Sequence, residues 1–217
     1  MRMTLSRRFK NQLKPIVPIW LLKYHKKIKR DKRIKSWKEK GSPIPPPDSY
    51  KQYVVSLFRK RTKSSVLIET GTYLGDMVEA QKYFFKKIYS IEIGEDLFNR
   101  ARQRFNDDKN VFLINGDSGK ELPGILKNLS QPVIFWLDGH YSGGFTSKGE
   151  TECPILEELD AIFNSGIYNH TLLIDDARCF NGLGDYPTVE RLTELIKNYN
   201  KEYSITVEND IIRCFIK

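Results

Sequence analysis

Short aliphatic runs alternate with helical patterns along most of the chain. Five runs of strand length are apolar almost throughout, and each is followed by a segment with helical periodicity. The predicted strands span residues 65–69, 87–93, 111–115, 133–138 and 171–175. The helices are expected to begin near Gly75, Glu95, Ser118, Glu152 and Pro187. Continuous apolar strands that alternate with helices predict a parallel sheet covered on both faces.

The pattern changes near the end of the sequence. The runs YSITVEN and DIIRCFIK both have strand character, and the turn-prone pair Asn209-Asp210 joins them. Two such runs joined by a short turn predict an antiparallel hairpin. The expected fold is therefore α/β, with a doubly wound, mostly parallel seven-stranded sheet that ends in an antiparallel hairpin.

Charge divides the chain into two parts. The 217 residues carry a net charge of +9, yet residues 1–47 hold 15 basic and 2 acidic side chains, which leaves the remainder slightly acidic. We interpret residues 1–47 as a basic amphipathic arm with a Pro-rich linker, and residues 48–217 as one α/β domain. The stretch GSPIPPPDSY, residues 41–50, has the composition of a stiff linker.

The arm contains a basic amphipathic helix. Leu21, Tyr24 and Ile28 recur at helical spacing, and lysines and arginines fill the other positions. Three interpretations remain open: an anchor on an anionic membrane with Trp20 and Trp37 at the interface, a contact with nucleic acid, or packing on the body or on a second subunit. A homo-oligomer is therefore one of the outcomes.

The spacing of the cysteines and the hydropathy of the chain indicate the cellular compartment in which the protein is expected. Cys153, Cys179 and Cys214 lie far apart without metal-ligand spacing, which favours a reducing environment over a disulfide framework. No apolar stretch has the length of a membrane span, and the first residues lack the core of a signal peptide. We expect a cytoplasmic protein, with the inner membrane surface as the place where the arm would bind peripherally.

Acidic residues and glycines mark the ends of the first three predicted strands. Glu69 ends the first strand, before a turn with Gly71 and Gly75, and Glu92 ends the second, at the distance where an acid accepts ribose hydroxyls. Asp117 follows the third strand, where it would accept from an adenine amino group. Each feature alone also fits loop geometry, a solvated carboxylate or, for Asp117 and Ser118, a helix cap. Together they favour an adenosine-type ligand.

This order of residues resembles the class I S-adenosylmethionine-dependent methyltransferases. The resemblance covers residues 62–217 and rests on the run Glu69-Thr70-Gly71-x-Tyr73-x-Gly75, on Glu92 and Asp117, and on the terminal hairpin. A tyrosine at 73 replaces the family's usual glycine, which is similar to the macrolide and aminocoumarin sugar O-methyltransferases. The resemblance implies S-adenosylmethionine as cofactor, bound by Glu69, Thr70, Gly71, Tyr73, Gly75, Glu92, Asp117, Ser118 and Asp138.

The stretch TLLIDDAR, residues 171–178, ends a buried strand with two adjacent carboxylates. Like charges side by side need solvent, a proton or a cation to relieve them. In the sugar O-methyltransferases a magnesium ion is held by acids at the ends of strands four and five, which implies Asp138, Asp175 and Asp176 here. Such hard oxygen ligands suit Mg²⁺. The alternative is a turn in which one carboxylate caps a helix and the other faces water.

The resemblance also suggests the chemistry. A sugar hydroxyl becomes nucleophilic when it loses its proton. A divalent cation would lower the pKa of the hydroxyl and orient it. Asp138 is predicted as a catalytic residue in this step. His140 is a candidate general base, although a structural role in the loop is equally open. The glycine-rich segment 139–152 has the character of a mobile lid, and Tyr141 and Arg178 are candidates for the acceptor side.

The sequence therefore predicts an S-adenosylmethionine-dependent O-methyltransferase, Mg²⁺-assisted, that acts on a hydroxyl of a sugar or of a glycan or polysaccharide precursor. Two other functions stay open: a nucleic-acid methyltransferase that uses the arm, and a catalytically inactive nucleotide-binding or interaction protein. The slightly acidic body argues against nucleic acid as a partner. An NAD-dependent oxidoreductase would share the ribose-binding acid but has no need of the hairpin or of the three aspartates.

Overall fold

A computed structural model describes residues 18–139 and 153–217. Its centre is a seven-stranded sheet in the order β3-β2-β1-β4-β5-β7-β6. The strands are β1 Val66–Thr70, β2 Lys87–Glu92, β3 Val111–Asn115, β4 Ile134–Leu137, β5 Thr171–Ile174, β6 Ser204–Glu208 and β7 Ile211–Phe215.

Seven α-helices are found in the described residues. They are α1 Ile19–Glu39, α2 Asp48–Thr62, α3 Asp76–Gln81, α4 Glu95–Arg104, α5 Ser118–Leu126, α6 Ile155–Phe163 and α7 Val189–Tyr199. A 3-10 turn, Ala177–Cys179, follows β5.

The strand directions confirm the predicted fold. Neighbours from β3 to β5 pair in parallel, whereas β7 is antiparallel to both β5 and β6. Asn209 and Asp210 form the hairpin turn with φ of 51° and 66°, the left-handed values that a tight hairpin turn requires. The sequence therefore placed both the doubly wound sheet and its terminal hairpin correctly.

Apolar side chains from both faces of the sheet build two cores. Along β1, Ile68 joins the core that packs against α5, α6 and α7, whereas Leu67 points to the opposite core beneath α2, α3 and α4. Alternate residues of a strand face opposite sides, so a run that is apolar throughout is buried on both. This three-layer arrangement leaves the carboxyl ends of the parallel strands at one edge.

The start of α7 differs from the prediction near Pro187. The helix begins at Val189, after Thr188, whose hydroxyl oxygen accepts from the Arg191 N–H at 3.1 Å. A side-chain cap of this kind supplies an acceptor for an otherwise unpaired helix N–H, so Thr188 rather than the proline sets the first turn. Helix α6 likewise begins at Ile155, three residues after Glu152.

Helix α2 was missed by the sequence analysis. The last three residues of the stretch 41–50 belong to this helix rather than to a linker, and Tyr50 is buried. Tyr50, Val54 and Phe58 recur every four residues and pack into the core beside β1 and β4. The proline-rich composition before Asp48 concealed this periodicity.

The C-terminal half of α1 packs on the body. Trp37 is 6% exposed, its ring lies 4.6 Å from that of Tyr50, and its indole N–H donates to the Pro43 carbonyl at 2.8 Å. The expectation of Trp37 at a membrane interface is therefore wrong, while Trp20 is 69% exposed. The division of the chain near residue 48 stays a prediction. In the described ranges, no helix combines the length and apolarity of a membrane span.

Candidate functional site

The turn after β1 brings the backbone close to the end of β4. Gly71 has φ of +82°, and a Cβ there would lie 2.3 Å from the Asp138 carbonyl oxygen. The Asp138 N–H in turn donates to the Thr70 carbonyl at 3.1 Å. Only glycine allows both this backbone conformation and this close approach. The predicted cofactor turn and the predicted metal ligand are therefore neighbours.

Glu92 organises the same turn from the end of β2. It is 5% exposed, and its two carboxylate oxygens accept from the backbone N–H groups of Tyr73 at 2.7 Å and Gly94 at 2.8 Å. A carboxylate has about four acceptor positions, so these bonds leave capacity for ribose hydroxyls. Tyr73, with φ of +48°, and Gly75, with φ of +77°, complete the turn before α3.

Asp117 and Ser118 lie at the start of α5. Asp117 is the N-cap of the helix and accepts from the Gly119 N–H at 2.9 Å. The Ser118 hydroxyl donates to Glu158 at 2.6 Å and is buried. The capping role is thus present, and contact with an adenine base stays a prediction for both residues.

Glu69 is buried within the sheet rather than presented at its edge. It is 2% exposed and accepts from the Ser90 hydroxyl at 2.5 Å, while Ser90 also bonds Thr72 at 2.6 Å. Burial raises the pKa of Glu69 to about 8; Ser90 opposes this shift, and the nearby charges of Glu92 and Asp76 add to it. Glu69 is thus predominantly protonated at neutral pH, unlike an exposed ligand-binding carboxylate.

Asp138, Asp175 and Asp176 meet at the ends of β4 and β5. Each offers one carboxylate oxygen, and these oxygens lie within 4.8 Å of one another. Asp175 has no exposed surface, and its Oδ1 has no hydrogen-bond partner among the described residues. An unpartnered buried carboxylate oxygen is costly, and a bound cation would relieve it. The three acids therefore fit a divalent cation by number, by oxygen chemistry and by this unsatisfied atom.

Lys51 of α2 extends into the acidic cluster. Its ammonium group forms a short ion pair with Asp175 and lies 3.7 Å from Asp176. Burial by itself lowers the pKa of Lys51, but Asp175, Asp138 and Asp176 raise it more, so the pKa lies well above its usual range. Burial also raises the pKa of Asp175, although Lys51 opposes that shift. Lys51 therefore supplies a permanent positive charge at the cluster.

Lys51 was not predicted from the sequence. The only available signal was the helical spacing of the apolar residues around it, which would have placed α2 but not its neighbours in space. The contact with Asp175 joins residues 124 positions apart.

Arg178 ties the cluster to the terminal hairpin. Its guanidinium donates to Asp176 at 2.7 Å and forms a short ion pair with Asp210, while its backbone N–H donates to Asp210 at 2.8 Å. Asp176 is thus oriented by a cation from its own loop, which in turn is held by the turn between β6 and β7. Asp210 is a second residue of this site that the sequence analysis missed.

Two of the predicted residues lie outside the described residues. These are His140, the candidate base, and Tyr141, and most of the predicted lid 139–152 lies there with them. The roles given to them stay predictions.

The assembled edge combines two chemical environments. One is a glycine turn, held by Glu92, whose backbone comes close to the ends of β1 and β4. The other is a cluster of three carboxylates and one lysine that can bind a cation or orient a hydroxyl. Ligands of doubly wound sheets bind at this edge, outside the carboxyl ends of the strands.

Comparisons with known proteins agree with the fold. The O-methyltransferase from Bacillus cereus, in complex with SAH, aligns with a TM-score of 0.60 at 14% identity over 87% of this chain and 90% of that one. TomG from Streptomyces achromogenes is an O-methyltransferase of tomaymycin synthesis, in complex with SAM. It aligns with a TM-score of 0.54 at 11% identity, over 87% of this chain and 89% of that one. The SAH-bound methyltransferase PaMTH1 from Podospora anserina aligns with a TM-score of 0.50 at 15% identity, over 82% of this chain and 85% of that one.

These likenesses show the fold. The chain has the Rossmann-like fold of the class I S-adenosylmethionine-dependent methyltransferases, as the residue order predicted. At the level of sequence, neither a protein-family model nor a curated protein matches the chain.

Proposed function

We propose that this protein is an S-adenosylmethionine-dependent O-methyltransferase, assisted by Mg²⁺, that acts on a hydroxyl of a sugar or of a glycan precursor. The observation that carries the proposal is the meeting of Asp138, Asp175 and Asp176 beside the glycine turn after β1. In a methyltransferase fold, such a cluster would bind the acceptor next to the expected methyl donor.

The proposed cofactor site follows the strand ends. Gly71 and Gly75 shape the turn beside which the methionine part would bind. Glu92 would accept from the ribose hydroxyls, and Asp117 and Ser118 would contact the adenine. Glu69, being buried, supports this site through Ser90 and Thr72 rather than by direct contact.

The proposed metal site consists of Asp138, Asp175 and Asp176. When bound there, Mg²⁺ would lower the pKa of the acceptor hydroxyl and fix its orientation. The ion would bind Asp175 through its unpartnered Oδ1, while the ammonium of Lys51, paired with the other oxygen, would repel the ion and weaken its binding. Arg178 would keep Asp176 in place.

The transfer itself is an in-line displacement. Bound S-adenosylmethionine would supply the methyl group: the acceptor oxygen would bond to the methyl carbon as the carbon–sulfur bond breaks, with S-adenosylhomocysteine as the leaving product. The hydroxyl proton passes to a base, for which His140 is the candidate. Lys51 would place positive charge near the developing oxyanion.

The proposal of a sugar or glycan acceptor is based on the resemblance to the sugar O-methyltransferases. The proposal of binding to a lipid surface is based on the arm. With Trp20 and Tyr24 exposed among lysines, peripheral contact with an anionic membrane is part of the proposal. Co-sedimentation with phosphatidylglycerol vesicles tests it, with Trp20→Ala as the variant expected to bind less.

Isothermal titration with S-adenosylmethionine, with and without Mg²⁺, tests the main proposal. We expect the wild type to bind the cofactor and to bind Mg²⁺ with measurable heat. Asp175→Asn should lose the metal heat, whereas Asp160→Asn, an exposed carboxylate of α6, should keep it.

The outcomes separate the parts of the proposal. Absence of cofactor binding in the wild type would refute the methyltransferase assignment. Cofactor binding with no metal heat would retain the methyltransferase and refute the magnesium mechanism.

A further inference from the structure

A basic groove lies between α1, α2 and α3, on the far side of α2 from the acidic cluster. It encloses about 550 Å³. Among the described residues that line it, eight are lysine or arginine and three are aspartate or glutamate. A concave surface with this charge excess attracts anions more strongly than a flat one.

Two of the three acidic residues of the groove already have cationic partners, so the lining keeps an excess of positive charge. Glu79 forms ion pairs with Lys26 and also with Lys82, which is outside the lining. Asp76 is paired with Arg104, also outside the lining.

Several basic residues of the groove remain without such a partner. Within the described chain no carboxylate lies within ion-pair distance of Lys27, Arg33 or Lys60. Like charges gathered in a concavity repel one another unless an anion is bound.

Two buried polar atoms of the groove also lack partners. Ser49 is 3% exposed and its Oγ makes no hydrogen bond within the described residues. The Nε of Arg59 is likewise buried and without an acceptor, although its Nη1 reaches the Phe84 carbonyl at 3.4 Å. Buried donors of this kind are normally satisfied, so their presence in a cationic groove indicates a missing acceptor.

We propose that this groove binds a small ligand with adjacent phosphate groups, such as a diphosphate. Phosphate oxygens would accept from Ser49 and Arg59, and Lys27 and Lys60 would supply charge at the rim. Trp20 and Tyr24, which also line the groove, offer an apolar surface for the group that the diphosphate carries.

Helix α2 connects this groove with the acidic cluster. Ser49 and Gln52 line the groove, while Lys51, between them in sequence, reaches Asp175. A diphosphate held here would therefore lie one helix away from the proposed methyl acceptor.

Titration with inorganic pyrophosphate in metal-free buffer tests the groove without requiring turnover. We expect the wild type to bind pyrophosphate and Lys27→Gln/Lys60→Gln to bind it at least about tenfold more weakly, since each removed charge acts at short range. The control Lys109→Gln/Lys201→Gln removes the same charge from exposed positions outside the groove and should bind like the wild type.

Absence of pyrophosphate binding, or equal weakening in both double variants, would overturn the proposal. Arg59→Lys adds a second test, because it keeps the charge but removes the Nε donor, and unchanged affinity would contradict the assigned contact. S-adenosylmethionine binding by the same variants reports on the proposed function separately.

A competition arm identifies the source of the phosphates. If pyrophosphate releases the wild type from phosphatidylglycerol vesicles, the groove binds lipid head groups. Vesicle binding that persists in saturating pyrophosphate would assign it to a soluble diphosphate. Both results support a phosphate-binding groove.

Discussion

At the residue scale, Lys51 acts as an internal counter-ion for the acidic cluster. Lys51→Met removes the only cation that contacts Asp175 in the described structure and leaves a fully buried carboxylate beside two others. Breaking a buried pair in this way costs about 3 to 5 kcal/mol, so we expect the free energy of unfolding to fall by roughly this amount. Urea denaturation measures it, with Lys201→Met, an exposed lysine, as the control.

The same variant should respond more strongly to metal. Because the site loses its competing ammonium, Mg²⁺ should raise the melting temperature of Lys51→Met more than that of the wild type. An equal rise in both proteins would show that Lys51 does not compete for these oxygens.

Glu69 makes stability depend on pH. Its folded pKa of about 8 lies above the ordinary value of 4.5, so the native state holds a proton that the unfolded chain releases between these values. The contribution is fully present below pH 4.5 and is lost as pH rises through 8. Glu69→Gln keeps a neutral polar group, and we expect its stability relative to the wild type to increase over this range by about 4 kcal/mol.

Melting temperatures of the two proteins at a series of pH values measure this difference. Glu190→Gln, at an exposed position of α7, serves as the control and should parallel the wild type. A difference between Glu69→Gln and the wild type that stays constant with pH would show that Glu69 is ionised throughout.

At the element scale, the junction between β1 and β4 depends on one glycine. Gly71→Ala would place a Cβ 2.3 Å from the Asp138 carbonyl oxygen at a φ of +82°, so the turn must shift. We expect a loss of about 2 kcal/mol or more in stability and weaker S-adenosylmethionine binding. Thermal melts and calorimetry measure the two effects.

Gly124→Ala is the matched control for that substitution. Gly124 lies in α5 with nothing within 4 Å of its added Cβ, so alanine there should stabilise the helix by about 0.5 to 1 kcal/mol. If both alanine variants had the same stability, the close approach at Gly71 would not contribute to the free energy of unfolding.

Elements with strong periodicity could be predicted, and long-range contacts could not. The runs that became β1, β4 and β5 were identified because burial on both faces leaves a continuous apolar pattern. The hairpin after Tyr203 was identified from two strand-like runs and the turn-prone pair between them. Helix α2 was missed because Pro45, Pro46 and Pro47 suggested a linker up to Tyr50. The contacts of Lys51 and Asp210 were invisible, since nothing local marks a side chain that pairs across more than 30 residues.

The aspartate cluster was predictable for the opposite reason. In a parallel sheet, residues at the carboxyl ends of neighbouring strands meet whatever lies between them in sequence. Because β4 and β5 are neighbours in the sheet, residues 138 and 175 lie close together. The family resemblance then suggested their role as metal ligands.

At the scale of the whole molecule, the arm and the body share a core. Trp37→Ala would remove a 6%-exposed indole from contact with Tyr50, and we expect a loss of about 3 to 5 kcal/mol. Faster proteolysis within α1 should accompany it if the helix detaches. Trp20→Ala, which changes a 69%-exposed side chain, should alter stability by less than about 0.5 kcal/mol.

The contact between Arg178 and Asp210 links the site to the order of synthesis. A nascent chain that has reached residue 203 already contains Asp138, Asp175 and Asp176, but the hairpin that holds Arg178 has not yet been made. The ribosome must release β6, the turn and β7 before Asp176 is fixed in place. Asp176 therefore acquires its oriented position only when the last two strands join the sheet.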